Sequence, residues 1–76
     1  MWYFFSSVGT FIIAIEPSGE FGLWIDTDKL ASFHTPEEAV EVVRSQKTGY
    51  APWDELQDAN PPEDLSGWMV MPGTAL

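Results

Sequence analysis

The four residues Thr35-Pro36-Glu37-Glu38 constrain this chain more than any other feature, because three separate signals for a helix start coincide there. Threonine offers an N-cap hydroxyl to an orphan amide. Proline stands at the first helical position, where its missing N–H is no loss, and Glu38 occupies the capping-box position. Beyond the cap, Ala39, Val42, Val43 and Gln46 recur at helical spacing with Val40 widening the stripe, while Glu37, Glu38, Glu41, Arg44 and Ser45 take the outer face. Acids at the start and Arg44 with Lys47 at the end match the helix dipole, and Gly49 is placed for the C-terminal cap. The pattern predicts an amphipathic helix over 35–48.

Ahead of the cap, residues 2–34 are dense in aromatic and β-branched side chains, cut by Gly or Pro clusters into pieces of strand length. They read as an antiparallel meander. Strands over 2–6 and 11–16 join around Ser7-Val8-Gly9-Thr10, where Gly9 can take the positive φ of a tight turn. Pro17-Ser18-Gly19-Glu20 is the second turn, with Pro17 at its first corner and Gly19 at its second. A third strand over 21–26 puts Phe21, Leu23 and Ile25 on one face and Gly22 and Trp24 on the other. Asp26-Thr27-Asp28 then turns the chain into a short strand over 29–33, with Ala31 and Phe33 on one side and Leu30 and Ser32 on the other.

From residue 51 onward Pro52, Pro61, Pro62 and Pro72 forbid a continuous helix, and Asp54, Glu55, Asp58, Glu63 and Asp64 stand without a compensating base. Single turns fit Trp53-Asp54-Glu55-Leu56 and Glu63-Asp64-Leu65, an edge strand fits 68–71, and 72–76 reads as a fraying tail. The expected fold is therefore α+β: a small antiparallel sheet of three or four strands packed on one helix, with an irregular segment wrapped over 51–71. Trp53 and Trp68 are expected to anchor that segment, on the sheet face opposite the helix or over the helix end.

Composition bounds the function classes. The chain has 76 residues, 12 acidic and 3 basic side chains, a net charge of -9 and no cysteine. A chain of this size buries roughly 60% of its unfolded surface, which allows one core and one domain over 1–76. Without cysteine there is no disulfide framework, thiolate nucleophile or thiolate metal site, and a cytoplasmic protein is expected. Its charge repels phosphate backbones and anionic lipid headgroups, so direct nucleic-acid and membrane binding are not expected. The apolar run over 2–15 is broken by Ser6, Ser7, Gly9 and Thr10 and falls short of the roughly 20 residues of a spanning helix. It also lacks the basic start and small-residue cleavage site of a signal peptide.

Catalytic groups are sparse. His34 is the single histidine, and no serine stands in a nucleophile elbow, so His34 with the Glu37/Glu38 pair makes the whole case for an enzyme. Both have simpler readings, as a strand end and as helix-capping charges. Asp26-Thr27-Asp28 lacks the Gly and distant Glu of a calcium loop, His34 near Glu37 is short of a zinc site, and Gly19 and Gly22 lead into a strand rather than a phosphate-binding helix. No metal, cofactor or enzymatic activity is expected.

The aromatics carry more information. With 4 Trp, 2 Tyr and 5 Phe, and strands that alternate faces, half of the strand-borne rings must point away from a single helix. The surplus predicts a contact patch for another protein or a second copy of the chain. Its expected residues are Trp24, with Trp2 or Tyr3 beside it, and Trp53 and Trp68 ringed by Asp54, Glu55 and Asp64.

The order Gly9-Thr10-Phe11, Gly22-Leu23-Trp24-Ile25, Thr35-Pro36-Glu37-Glu38-Ala39, Thr48-Gly49, Trp53-Asp54 and Pro62-Glu63-Asp64-Leu65-Ser66-Gly67-Trp68 resembles a group of short, uncharacterised acidic bacterial proteins. The resemblance implies a bacterial, cytoplasmic source and carries no activity with it. The step Phe33-His34-Thr35-Pro36-Glu37-Glu38-Ala39 also resembles the sheet-to-helix portion of integrase-type DNA-binding modules, whose basic sheet face has no counterpart here. The expectation is a small non-enzymatic acidic adaptor or regulator. The alternative is an acidic inhibitor, such as an antitoxin, immunity or anti-defence protein, occupying a basic site on a nucleic-acid enzyme.

Overall fold

The computed structural model describes residues 1–71, in which the strands number five. β1 (Trp2–Ser6), β2 (Gly9–Ile15), β3 (Phe21–Ile25) and β4 (Asp28–Phe33) form the meander, followed by α1 (Pro36–Arg44), the short α2 (Ala51–Asp54), a 3₁₀ turn (Leu65–Gly67) and β5 (Met69–Val70). The sheet is antiparallel in the order β4-β3-β2-β1-β5. The last strand thus returns beside the first, which adds one strand to the three or four expected.

Each turn has an identifiable cause. Ser6 pairs with Gly9 across a two-residue loop, and the Ser6 hydroxyl donates to the Gly9 carbonyl at 2.6 Å. Gly9 has φ 141°, and a Cβ there would stand 2.8 Å from the Asp26 carboxylate, so a side chain is excluded twice over. In the second turn Pro17 does take the first corner, because the Gly19 N–H donates to the Glu16 carbonyl at 2.8 Å. Ser18 therefore holds the second corner, and Gly19, with φ 93°, supplies the left-handed step one residue later than expected. The third turn is led by Asp26 at φ 52°, a conformation Asp tolerates better than most. Its N–H donates to the Thr10 carbonyl at 2.8 Å and its carboxylate accepts from the Thr10 N–H at 3.0 Å, tying the turn to the start of β2. Asp28 already belongs to β4, paired with Ile25.

The inner face of the sheet carries Phe11, Ile13, Leu23 and Ile25, all buried against Ala39, Val40 and Val43 of α1. Leu30 joins this side as well, contrary to simple alternation. The β3–β4 register slips between Leu23 and Trp24, Lys29 and Ala31 face adjacent β3 residues, and Leu30 is the extra residue of the bulge, packed against the core.

The helix starts where the sequence predicts. The Thr35 hydroxyl accepts from the Glu38 N–H at 3.2 Å, and the Glu38 carboxylate accepts from the Thr35 and His34 N–H groups at 3.1 and 2.9 Å. It stops at Arg44, a turn short of the expected 48, and the left-handed position falls on Gln46 at φ 57° rather than on Gly49. The Gln46 and Lys47 N–H groups close back on the Val43 and Val42 carbonyls, both at 3.1 Å, in a Schellman arrangement. Gln46 tolerates the conformation because its amide donates to the Trp53 and Leu56 carbonyls, each at 2.8 Å, closing the end of α2. Gly49, at φ 85°, serves the loop into α2 instead.

A helix about 10 Å wide cannot cover five strands at about 4.8 Å spacing. α1 lies over β2, β3 and β4, and the inner face nearer β1 is closed by the C-terminal segment. Trp53 is 1% exposed, meets Phe11 edge-on at 5.1 Å and Phe4 at 5.9 Å, and donates its indole N–H to the Val43 carbonyl at 2.9 Å. Trp68 is 4% exposed and tilts against Phe4 at 5.6 Å. Both therefore share the helix side of the sheet; of the two placements expected, Trp53 takes the one at the helix end and the opposite face is taken by neither. The expected tail over 72–76 lies outside the described residues.

Candidate functional site

With α1, Trp53 and Trp68 all on one side, the other face of the sheet has no layer over it among the described residues. Alternation places Tyr3 and Phe5 of β1, Ile12 and Ala14 of β2, Gly22 and Trp24 of β3 and Met69 of β5 on that face. An antiparallel sheet with one solvated face ordinarily alternates apolar inward with polar outward. Here most outward positions of β1, β2 and β3 are aromatic or aliphatic, with Thr10 beside Phe5 and the polar Lys29 and Ser32 confined to the β4 edge. Phe5 is 63% exposed and Met69 52%, while Tyr3, Ile12 and Trp24 are half-buried by one another. Tyr3 and Phe5 meet edge-to-face at 5.2 Å. Met1 and Met71, joined by a 2.9 Å bond from the Met71 N–H to the Met1 carbonyl, extend the surface. With Tyr3, Phe5, Thr10 and Ile12 they line a shallow cavity of about 240 Å³.

Trp24 is held in place at the far side of this face. Its ring lies over Gly22, so closely that a Cβ on Gly22 would come within 2.4 Å of the ring edge. Lys29 stands 5.8 Å from the ring centroid and is tied to Glu16 by an ion pair, and the Ser32 hydroxyl donates to the same carboxylate at 2.7 Å. The Lys29 bond first, and the Ser32 bond second, hold the Glu16 carboxyl below the usual glutamate range. The cation of this face is therefore already neutralised. What remains is an uncharged apolar centre on a strongly acidic protein.

The residues expected from sequence divide differently. Trp24 lies on the open face with Tyr3, whereas Trp2 is on the inner side, tilted on Phe21 at 6.2 Å. Trp53 and Trp68 are core side chains and present no surface for a partner. Asp54 is a loop clamp: its carboxylate accepts from the Thr48 N–H and hydroxyl at 3.0 and 2.7 Å and from the Gly49 N–H at 2.8 Å. Glu55 is exposed at the end of α2. Asp64 caps the 3₁₀ turn, and the hydroxyl and N–H of Ser66 lower its pKa. The structure thus does not gather Trp24, Trp53, Asp54, Glu55, Asp64 and Trp68 into one patch. His34 is exposed with Glu38 committed to the cap, and among the described residues no three His, Asp or Glu side chains are grouped to hold a metal.

Strict alternation from Trp24 through its partner Ile12 to Tyr3 leads on to Phe5 and Met1, and the β1–β5 pairing adds Met69, none of which the sequence pattern alone places on a contact patch. Gly22 had a signal too, since glycine inside a strand often marks a close approach. A second cleft, of about 210 Å³, lies on the helix side between Glu37, Val40, Glu41, Glu63, Asp64 and Leu65. Compared with known proteins, the chain matches no family model, no curated protein and no solved structure. No helix among the described residues is long and apolar enough to cross a membrane.

Proposed function

We propose that this chain is a small non-enzymatic adaptor or regulator that binds another protein on the open face of its sheet, with Trp24, Ile12, Tyr3 and Phe5 as the anchors. One observation carries the reading: outward positions of a two-layer sheet that solvation would make polar are occupied by Tyr3, Phe5, Ile12, Trp24 and Met69. An exposed apolar surface of this kind costs solubility unless something uses it. Trp and Tyr are also the side chains most enriched where binding energy concentrates. The ring of Trp24, pinned by Gly22 and Lys29, loses little freedom on being covered.

The test is site-specific photocrosslinking in the source cell. A benzophenone side chain at Phe5, on the open face, should yield a discrete protein adduct that disappears when Ile12→Asp is added. The same probe at Glu37, on the exposed side of α1, should not yield that adduct. Equal adducts from both positions, or an adduct indifferent to Ile12→Asp in a variant that still folds, would refute the proposal.

A further inference from the structure

The occupant of the open face can be narrowed by its area and by the charge around it, an inference that rests on the docking reading above. The apolar side chains fill only part of the open face, whose β5 edge is two residues long, and a standard specific interface takes in about 20–30 residues a side, so a partner of that size also meets the charged side chains around the centre.

The rim is acidic. Exposed Asp26 stands at the β3–β4 end of the face and Glu20 at the β2–β3 end, whereas Asp28, paired with Ile25, belongs to the helix side. Of the three basic side chains, Lys29 is engaged by Glu16, Arg44 by Glu41 on the helix side, and Lys47 follows the end of α1, away from the face. Two copies meeting face to face would bring these acids together on chains that each carry -9. A partner with basic side chains around an apolar centre would meet the same acids with opposite sign.

We infer that the open face takes a basic protein surface, an apolar strip bracketed by Lys or Arg, rather than a second copy of this chain. The apolar strip would cover Ile12, Tyr3 and Trp24, and the bracketing cations would face Asp26 at one end and Glu20 at the other. Opposed charge also speeds encounter, and it weakens as salt screens it.

The test uses the whole protein and two synthetic strand peptides that alternate leucine with either lysine or glutamate, titrated while the amide and indole signals of the protein are followed by NMR. The lysine peptide should bind, shift the Trp24, Ile12, Tyr3 and Phe5 signals, and lose at least about 10-fold in affinity between about 50 and about 500 mM NaCl. The glutamate peptide should bind at least about 10-fold more weakly, as like charges oppose it. Glu20→Gln/Asp26→Asn should flatten the salt dependence while leaving the fold intact by far-UV circular dichroism. Sedimentation of the free protein should show a monomer at both salt concentrations. Equal, salt-insensitive binding of both peptides at the open face would overturn the basic partner and leave the docking face standing. A dimer that strengthens with salt would overturn it in favour of a second copy. If neither peptide shifts the open-face signals, the docking reading and this inference fail together.

Discussion

Replacing Trp53 tests whether the C-terminal segment is part of the fold or an arm laid on it. The side chain is 1% exposed, touches Phe4 and Phe11, and donates to the Val43 carbonyl. Truncation to alanine removes both the buried ring and the bond, and large aromatic-to-alanine changes in cores cost about 3–5 kcal/mol. At about 0.05–0.15 kcal/mol per residue, a domain of this length has about 4–11 kcal/mol in total. Trp53→Ala should therefore remove at least about a quarter of the stability, and at the lower end of that range unfold the protein. Trp53→Phe keeps most of the ring and drops only the indole N–H. The Val43 carbonyl still accepts from the Gln46 N–H, so the lost bond should cost about 1 kcal/mol, with a similar further loss from the smaller ring. Urea unfolding followed by far-UV circular dichroism reads both, at a slope of about 1 kcal/mol per molar urea for a small domain. An alanine variant less than about 1 kcal/mol below wild type would show that the segment is peripheral. A phenylalanine variant as damaged as the alanine one would show that the bond, and not the ring, holds the segment.

Truncation after Gly49 removes Trp53, Trp68 and β5 together and should abolish the cooperative melt in calorimetry; a fragment that keeps it would contradict the core described above. Gly22→Ala should displace the Trp24 ring, cost about 1–3 kcal/mol and move the Trp24 indole signal, whereas an unmoved signal would contradict the close approach. Gln46→Gly relieves the positive φ but forfeits two bonds to α2, so it should destabilise by about 1 kcal/mol in urea, and a stabilised variant would mean those bonds contribute nothing. Glu16 has a lowered folded-state pKa, so its contribution is complete above the unfolded-state value of about 4.3 and is lost as pH falls through the folded value. The gap in stability between wild type and Glu16→Gln should accordingly be flat near neutrality and shrink on acidification, and a gap that widens there would reverse the assigned sign.

Local chemistry made the strand half and the helix start legible: the capping box at Thr35 and Glu38 and the corner at Pro17 each involve atoms within four residues of one another. The misread features depend on distant partners. Where α1 ends is decided by Gln46 reaching Trp53 and Leu56, not by the glycine three residues on. Leu30 turns inward because the β3–β4 register slips, which no alternation pattern in β4 alone reveals. Which face Trp53 and Trp68 choose depends on how much of the sheet one short helix leaves bare, a question of width that enters only when strands are counted side by side. The open face was half legible. Trp24, Tyr3 and Met1 are within reach of alternation, but Met69 and Met71 join them only through β5 pairing with β1.

That pairing of first strand with last has a consequence for folding. The meander is contained in residues 2–33, yet its inner face is closed only when Trp53 and Trp68 pack and β5 docks beside β1. A molecule in which the last segment has not yet docked presents apolar side chains on both sides of its sheet: Phe11, Ile13, Leu23 and Ile25 on the inner side, Phe5, Ile12 and Trp24 on the other. The acids of the meander, Glu16, Glu20, Asp26 and Asp28 against the lone Lys29, give two such molecules the same sign of charge, which opposes their association through those faces.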